Sequence, residues 1–324
     1  MNKAVAVGID VGGTKTLCVL VDRRFRVLRE RKFKTSPHEG RTRFTRNLVD
    51  AVTNLHNAAR RQNLRIAGVG VGCAGTVDFE KGEILTSPNL RALENYPIAK
   101  YLRDALSVEV TIGNDVQLGV MAEHELGAAK KCSNVLGVFF GTGVGGAAII
   151  NGELYFGASG VGGQVGALLA QPVGGPRAAL SHGIIDRIAS KAAIASEALV
   201  MAIKEWAPYL NKQVGTDFSN VTWGALRKAI RNGDKLIDEM LRARMRVVGI
   251  ALSNAVNFMN PDMVVLGGGL VGEMPDLVLD EIESGMREYL APEVDRAVKV
   301  RLAKLGSAVV ALGAAHQAFK AAHI

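Results

Sequence analysis

GIDVGGTK, at residues 8–15, is a glycine-rich turn between two apolar runs, and the rest of the chain is organised around it. The apolar runs, 4–9 and 16–21, are typical of two β-strands. Gly12 and Gly13 carry no Cβ and permit positive φ, so a turn built on them brings backbone N–H groups close to a ligand. Such N–H groups bind phosphate oxygens, and the stretch therefore predicts a phosphate-binding turn.

Three polar side chains in the same stretch extend this prediction. Asp10 ends the first strand, where its carboxylate is placed to hold a Mg²⁺-bound water beside the phosphate. Thr14 and Lys15 add a hydroxyl and a positive charge. The alternative interpretation is an ordinary tight hairpin with Gly-Gly at its tip, and the stretch alone does not decide between the two.

A second copy of the pattern, FFGTGVGG, follows at residues 139–146, with an apolar run at 147–150 after it. Two such hairpins indicate a duplicated architecture in which each half offers one turn to a shared ligand. Neither turn has the Lys-Ser/Thr ending of a P-loop, and neither opens directly onto a helix as the dinucleotide fingerprint requires. The copy favours phosphate binding over a plain hairpin.

The composition is typical of a globular protein with two domains, at 324 residues, 48% hydrophobic and 22% charged. Residues 1–7 lack the long apolar segment of a secretory signal, and no apolar run reaches bilayer length. We therefore expect a cytoplasmic protein without a membrane partner. Cys18, Cys73 and Cys132 are odd in number and widely spaced, which indicates reduced core thiols.

The net charge is +8, and much of the excess of Lys and Arg lies between residues 23 and 46. A nucleic-acid-binding role is one interpretation of this charge. At residues 25–29, however, basic and apolar residues alternate as on the solvent face of an edge strand, and no helix-turn-helix or zinc finger precedes the first turn. We therefore expect solvated faces that attract anionic substrates, and no nucleic-acid partner.

Two polar loops follow a buried strand predicted at 66–72. The first contains Gly75 and leaves the carboxyl end of that strand, where open α/β sheets bind ligands. The second contains Asn89, which lies either in the same cleft or in a surface loop. Apolar spacing predicts helices at about 44–63, 188–206, 236–258 and 308–321.

Asp115 lies between a strand predicted at 108–112 and a helix predicted at 116–126. It has two interpretations: a carboxylate that accepts a proton from a bound hydroxyl, or the N-cap of the helix. Position alone favours the cap. The two phosphate turns elsewhere in the chain favour the general base.

Five segments match the motifs of a known family: 8–15, 113–115, 141–146, 260–269 and 305–315. On these segments the chain resembles a sugar kinase of the ROK family (repressors, open reading frames, kinases). The resemblance implies an α/β, two-domain actin-like ATPase (ribonuclease H-like) fold with duplicated βββαβαβα-type halves. It implies a smaller domain at 1–116, a larger domain at 117–305, and a C-terminal helix at 306–324 that returns to the smaller domain.

The resemblance also implies roles for individual residues. The first phosphate loop would comprise Asp10, Gly12, Gly13, Thr14 and Lys15. The second would comprise Gly141, Thr142 and Gly143, with Gly268 and Gly269 near the adenosine of ATP. Asp115 would take the proton from the sugar hydroxyl as it attacks the γ-phosphoryl group, Asn114 would orient the sugar, and Asp10 would hold Mg²⁺ through a water.

The chain departs from the family's pattern at the sugar motif. The family's Gly-Glu-x-Gly-His becomes Gly-Gln-Val-Gly-Ala at 163–167, so Gln164 replaces a sugar-contacting glutamate. An amide still hydrogen-bonds a sugar hydroxyl, but it also donates and brings no charge. Asp186 takes the place of a second sugar-contacting glutamate. The expected sugar-binding residues are Gly75, Asn89, Asn114, Gln164 and Asp186.

The chain also departs from the family's zinc motif. Ala167 replaces a zinc-ligating histidine, and Arg177, Ala179 and Ile184 stand where the family has cysteines. Because Zn²⁺ requires Cys or His donors in tetrahedral geometry, we expect no structural zinc.

These observations predict an ATP-dependent kinase that phosphorylates the 6-hydroxyl of a hexose, with glucose first, acting as a homodimer with Mg²⁺. The changes at Gln164 and Ala167 leave open a kinase of another sugar, such as an N-acetylhexosamine or fructose, or a non-catalytic sugar-binding protein. Polyphosphate as donor is a variant of the first hypothesis. A ROK repressor is disfavoured, because those proteins carry an amino-terminal winged helix and this sequence starts on the phosphate strand.

Overall fold

The structure is a computed structural model that describes residues 3–36, 40–87, 90–171 and 183–323. The chain divides into two units, Met1–Leu126 with Ser307–Ile324, and Gly127–Gly306. The first unit thus extends ten residues beyond the boundary expected at residue 116, and it includes the whole of the helix that begins at Asp115.

The strands are β1 (Lys3–Val11), β2 (Lys15–Asp22), β3 (Val27–Lys34), β4 (Leu64–Cys73), β5 (Thr76–Asp78), β6 (Glu83–Thr86), β7 (Glu109–Asn114), β8 (Val135–Phe140), β9 (Val144–Ile150), β10 (Glu153–Leu154), β11 (Met263–Gly268) and β12 (Lys299–Leu302). The helices are α1 (Arg41–Arg61), α2 (Ile98–Leu106), α3 (Asp115–Glu125), α4 (Ile185–Ala189), α5 (Lys191–Ile203), α6 (Pro208–Val214), α7 (Trp223–Arg231), α8 (Lys235–Met259), α9 (Gly269–Glu273), α10 (Pro275–Arg287), α11 (Pro292–Ala297) and α12 (Val309–Ala321).

Each unit contains a five-stranded sheet, and the two sheets have the same topology. The first has the order β3-β2-β1-β4-β7, and the second has the order β10-β9-β8-β11-β12. In each, the first three strands in the chain form an antiparallel meander, and the last two run parallel to the first. The duplicated α/β architecture predicted from the two glycine turns is confirmed.

The sheet of the first unit is covered by helices on both faces. The predicted amphipathic helix is α1, which buries Phe44, Leu48, Val52 and Leu55 against the core. The last helix, α12, packs on β1, β4 and α3. Helix α12 is therefore part of the first unit although it comes last in the chain.

Two glycines permit α12 to lie unusually close to its sheet. A Cβ on Gly8 of β1 would lie 1.8 Å from the carbonyl oxygen of Ala311, and a Cβ on Gly70 of β4 would lie 1.8 Å from that of Ala314. Both distances are far inside van der Waals contact. These strand positions therefore require glycine because backbone meets backbone there.

The prediction of one continuous helix at 188–206 is wrong. The segment expected as a single helix at 188–206 begins in the last turn of α4, is interrupted at Ser190 and continues as α5, which ends at Ile203. Ser190 separates them with extended backbone, at φ −67° and ψ 155°, and its hydroxyl accepts a hydrogen bond from the Ala193 N–H. Apolar spacing alone missed the break because a serine N-cap fits the same spacing.

Two further expectations can be compared with the structure. Cys18 and Cys73 are buried free thiols, whereas Cys132 is only partly buried. The basic strand β3 is exposed along nearly its whole length, as expected for an edge strand. None of the helices in the described part of the chain has the length and apolarity that a bilayer crossing requires.

Candidate functional site

The first glycine turn joins β1 to β2 and presents its tip to solvent. The Gly12 N–H donates to the Lys15 carbonyl at 3.1 Å, which closes the turn, and Gly13, Thr14 and Lys15 are exposed. Neither Gly12 nor Gly13 uses the positive φ that glycine permits. Gly12 is required for space instead, since a Cβ there would lie 2.9 Å from the Lys15 carbonyl oxygen.

A threonine from outside the turn anchors it. The hydroxyl of Thr35, just after β3, donates to the Gly12 carbonyl at 2.7 Å, and the Thr35 N–H donates to the Thr14 carbonyl at 3.0 Å. Thr16 lies behind Thr35, with 3.0 Å between the two hydroxyl oxygens, and both side chains are buried. Nothing in the local sequence around Thr35 points to this contact, and sequence analysis missed it.

Two carboxylates lie at the carboxyl ends of the parallel strands in the same unit. Asp10 is the last but one residue of β1, and Asp115 follows β7; strand β4 lies between those two strands. Burial, together with the negative charge of Asp115, raises the pKa of Asp10 to about 7, against the opposing effect of the Lys15 charge. Burial also raises the pKa of Asp115, against hydrogen bonds from backbone N–H groups that favour its charged form.

The N-cap of α3 is Asn114 and not Asp115. The Asn114 Oδ1 accepts from the N–H groups of Val116 and Gln117, at 3.0 and 3.1 Å. The Asp115 carboxylate also accepts from the Val116 N–H, at 2.9 Å. The capping interpretation of Asp115 is therefore not needed to explain the start of this helix.

Asn114 also joins the Gly75 loop to the site. Its Nδ2 donates to the Gly75 carbonyl at 3.0 Å, and the Asn114 side chain also hydrogen-bonds Asp115, which favours the charged form of that carboxylate. Gly75 has φ +108°, and a Cβ there would lie 2.0 Å from the Thr86 carbonyl oxygen, so the position requires glycine. The predicted residues Asp10, Lys15, Gly75, Asn114 and Asp115 thus belong to one edge of the first sheet.

The second glycine turn joins β8 to β9 and is tighter. The Gly141 N–H donates to the Gly143 carbonyl at 2.8 Å, and the Gly141 carbonyl accepts from the Lys191 N–H at 3.3 Å. Thr142 and Gly143 are exposed. The turn is therefore tied to the start of α5.

Asp186 lies beside this second turn. Its Oδ1 accepts from the Val144 N–H at 2.7 Å, and a Cβ on Gly143 would lie 2.7 Å from the same oxygen. The segment that carries Gln164 packs on the same part of β9, because a Cβ on Gly166 would lie 2.0 Å from the Val144 carbonyl oxygen. Gln164 itself is exposed. The structure thus brings the second turn and Asp186 together, whereas Gln164 lines a cavity with Ala148, Ile150 and Phe258, toward the other end of β9.

Gly268 and Gly269 lie at the end of β11, next to the second turn. Gly268 pairs with Phe140, the residue that precedes the turn. It has φ +96°, and a Cβ there would lie 2.3 Å from the Phe140 carbonyl oxygen. A Cβ on Gly269 would lie 3.1 Å from the indole of Trp223, a neighbour that sequence analysis did not identify.

Part of the expected site lies outside the described residues, namely Asn89, Arg177 and Ala179. Ile184 is described and precedes α4. Among the residues that the structure describes, no group of three or more His, Cys, Asp or Glu side chains is arranged to hold a metal ion. The expectation of no structural zinc stays a prediction.

Comparison with known proteins places this geometry in context. The chain superimposes on the crystal structure of a ROK family glucokinase from Streptomyces griseus in complex with glucose and AMPPNP, with a TM-score of 0.81 and 27% identity over 98% of this chain and 99% of that chain. It is 25% identical to a glucokinase of Halalkalibacterium halodurans over 95% of this chain and 92% of that protein.

A transcriptional regulator is also among the relatives. The chain is 25% identical to the NagC regulator of Escherichia coli, over 86% of this chain and 66% of that protein. Kinases and regulators therefore share the fold of this chain. The model of the ROK family matches residues 6–321. This chain belongs to the ROK family.

Proposed function

We propose that the chain is an ATP-dependent sugar kinase that transfers the γ-phosphoryl group to the 6-hydroxyl of a hexose, with glucose as the first candidate. Its similarity to glucokinases over nearly the full length of both chains supports this proposal. The observation that carries it is the pair of coupled carboxylates, Asp10 and Asp115, at the sheet edge that also holds the first glycine turn.

Asp115 is proposed as the general base. A carboxylate that accepts the hydroxyl proton works best when its pKa lies near the working pH, and burial moves the pKa of Asp115 in that direction. Its hydrogen bond from the Val116 N–H fixes the orientation of the carboxylate. Asn114, tied to the Gly75 loop and hydrogen-bonded to Asp115, is proposed to orient the sugar.

Asp10 is proposed to hold Mg²⁺ through a water. Its carboxylate is partly buried beside a second negative charge, and this unfavourable arrangement is relieved by a divalent cation. When bound, Mg²⁺ neutralises charge on the transferring phosphoryl group. Lys15 lies close enough to lower the pKa of Asp10, so its ammonium group is available to the same phosphates.

The glycine residues are proposed to bind the nucleotide. In the first unit these are Gly12 and Gly13, with Thr14 supplying a hydroxyl at the exposed tip of the turn. In the second unit the phosphate-binding residues are Gly141, Thr142 and Gly143, and Gly268 and Gly269 contact adenosine. The proposed sugar-binding residues are Gly75, Asn89, Asn114, Gln164 and Asp186.

A kinase of another sugar is the second candidate. Gln164 carries no charge, and the Asp186 carboxylate already accepts a hydrogen bond from the Val144 N–H. Both features differ from a pair of free carboxylates offered to sugar hydroxyls, and they favour testing an N-acetylhexosamine and fructose beside glucose.

The homodimer also stays a prediction. Light scattering on the purified protein measures its oligomeric state.

The test is an ADP-release assay over a panel of hexoses, with and without Mg²⁺. We expect turnover with glucose that requires Mg²⁺. Turnover with one other sugar only would assign the second candidate, and absence of turnover with every sugar would contradict the kinase.

A further inference from the structure

The first glycine turn does not hold itself in shape. Apart from the bond between Gly12 and Lys15, its backbone carbonyls are held by Thr35, which is 23 residues after Gly12 and belongs to the chain that leaves β3. One side-chain bond, at 2.7 Å, goes to the Gly12 carbonyl, and one backbone bond, at 3.0 Å, goes to the Thr14 carbonyl. Two of the four residues of the turn are therefore fixed by one residue.

The hydroxyls of Thr16 and Thr35 form a chain with a defined direction. Because the Thr35 proton is donated to the Gly12 carbonyl, the 3.0 Å contact with Thr16 is one in which Thr16 donates to Thr35. Hydrogen bonds in such a chain polarise and strengthen one another. Thr35 is 1% exposed and Thr16 is 0% exposed, so water does not compete for these groups.

The bonds from Thr35 occupy carbonyl acceptors of the turn and none of its N–H donors. The carbonyls of Gly12 and Thr14 are turned toward Thr35. In the part of the chain that the structure describes, the N–H groups of Gly13 and Thr14 have no protein partner, and both residues are exposed. A turn in this state offers its free N–H groups to an anion.

We propose that Thr35, supported by Thr16, is a positioning residue that holds the first turn in its anion-binding shape and thereby sets the affinity for the phosphates of the nucleotide. The inference rests on the proposed function for the identity of the ligand. Thr35 does not touch the reacting atoms, and its effect therefore falls on nucleotide binding and leaves sugar binding unchanged.

The decisive variant is Thr35→Val, which keeps the shape of the side chain and removes the hydroxyl. We expect the Kd for AMPPNP and the KM for ATP to rise about 5- to 50-fold, because a partly buried carbonyl loses its donor. The KM for the sugar should stay within about twofold. Thr35→Ser restores the hydroxyl and should recover most of the nucleotide affinity.

Thr111→Val is the matched control. Thr111 lies on β7 of the same unit, and its buried hydroxyl oxygen has no hydrogen-bond partner among the described residues. The same exchange of hydroxyl for methyl should leave the Kd for AMPPNP within about twofold of wild type. Thr16→Val, which removes only the second hydroxyl of the chain, should weaken binding about two- to fivefold and tests the inference independently of how well Thr35→Val folds.

Three results would overturn the inference: wild-type affinity for AMPPNP in Thr35→Val, an equal loss of sugar and nucleotide affinity, or failure of Thr35→Ser to recover binding. The proposed function fails separately. If wild type bound AMPPNP but phosphorylated no sugar, and Thr35→Val weakened that binding, the kinase would be contradicted and the role of Thr35 supported. If wild type phosphorylated glucose and Thr35→Val had an unchanged KM for ATP, only the role of Thr35 would be contradicted.

Discussion

The two glycine turns share a sequence pattern but are supported by different groups. Threonine hydroxyls hold the first turn, through the bond from Thr35 to the Gly12 carbonyl. At the second turn a carboxylate accepts, since Asp186 bonds the Val144 N–H, and the Lys191 N–H bonds the Gly141 carbonyl. A repeated glycine motif therefore repeats the turn without repeating what surrounds it.

The units also differ in the charge beside their turns. The first has two coupled carboxylates at the sheet edge, Asp10 and Asp115, and burial raises the pKa of each. In the second unit the nearest carboxylate, Asp186, is engaged with the backbone. We infer that the first unit carries the proton transfer, whereas the second contributes binding. The predictions below test this asymmetry.

The largest expected effect is the loss of kcat in the Asp115→Asn variant. Removal of a general base lowers kcat by about 10²- to 10⁴-fold, and the Kd for AMPPNP should stay within about threefold, because the amide keeps the shape of the side chain. Asp186→Asn is the comparison in the second unit. Its amide oxygen still accepts from Val144, so its kcat should fall by less than about tenfold. Equal losses of kcat in the two variants would remove the asymmetry.

Asp10→Asn should be more stable than wild type at pH 8. The folded-state pKa of Asp10, about 7, lies above the ordinary value of 3.8. At a pH between these two values, the folded state therefore binds more protons than the unfolded state. Wild-type stability therefore falls as pH rises through that window and is constant above it. Each pKa unit corresponds to about 1.4 kcal/mol, so the variant should gain on the order of 4 kcal/mol at pH 8 and almost nothing at pH 4.

Denaturant unfolding at pH 4, 6 and 8 measures this difference. Asp104→Asn serves as control, because that side chain is 65% exposed and its replacement should change the unfolding free energy by less than about 0.5 kcal/mol. A gain for Asp10→Asn that does not depend on pH would contradict the assigned cause. The same variant should lose Mg²⁺-dependent turnover.

Gly268→Ala should destabilise the second unit by about 2–3 kcal/mol. The new Cβ would lie 2.3 Å from the Phe140 carbonyl oxygen, at a residue with φ +96°. Gly272→Ala is the control, in the short helix α9 that follows Gly268, since no atom lies within 4 Å of its Cβ position. Thermal unfolding compares the two, and an equal melting temperature would contradict the close contact at Gly268.

The smallest expected effects are on the free energy of unfolding, in two variants that compare the glycine turns directly. Gly12→Ala should cost about 1–2 kcal/mol, because its Cβ would lie 2.9 Å from the Lys15 carbonyl oxygen. Gly141→Ala should cost less than about 0.5 kcal/mol, since its nearest neighbour, the Gly143 carbonyl oxygen, would be 3.8 Å away. Unfolding free energies in denaturant measure both, and the reverse order would break the distinction between the turns.

Much of the fold was predictable because its signals are local. Apolar runs and glycine turns at 8–15 and 139–146 predicted two repeated hairpins, and both sheets have the topology that such repetition requires. The break at Ser190 was not predictable from apolar spacing, since both α4 and α5 fit one helical pattern. The sequence offered two reasons for glycine at position 12, freedom of φ and the missing Cβ, and the structure shows that the missing Cβ is the one that matters there.

The sequence by itself determined the α/β class, the two turns and the chemical types of Asp10 and Asp115, because strand periodicity and glycine spacing are written in neighbouring residues. Only the tertiary structure decided which groups meet. Thr35 contacts a carbonyl 23 residues away, Asp186 contacts an N–H 42 residues away, and Asn114 rather than Asp115 caps α3. The contacts of Thr35 and Asp186 depend on how distant segments pack against the sheet, which the packing of the whole unit decides.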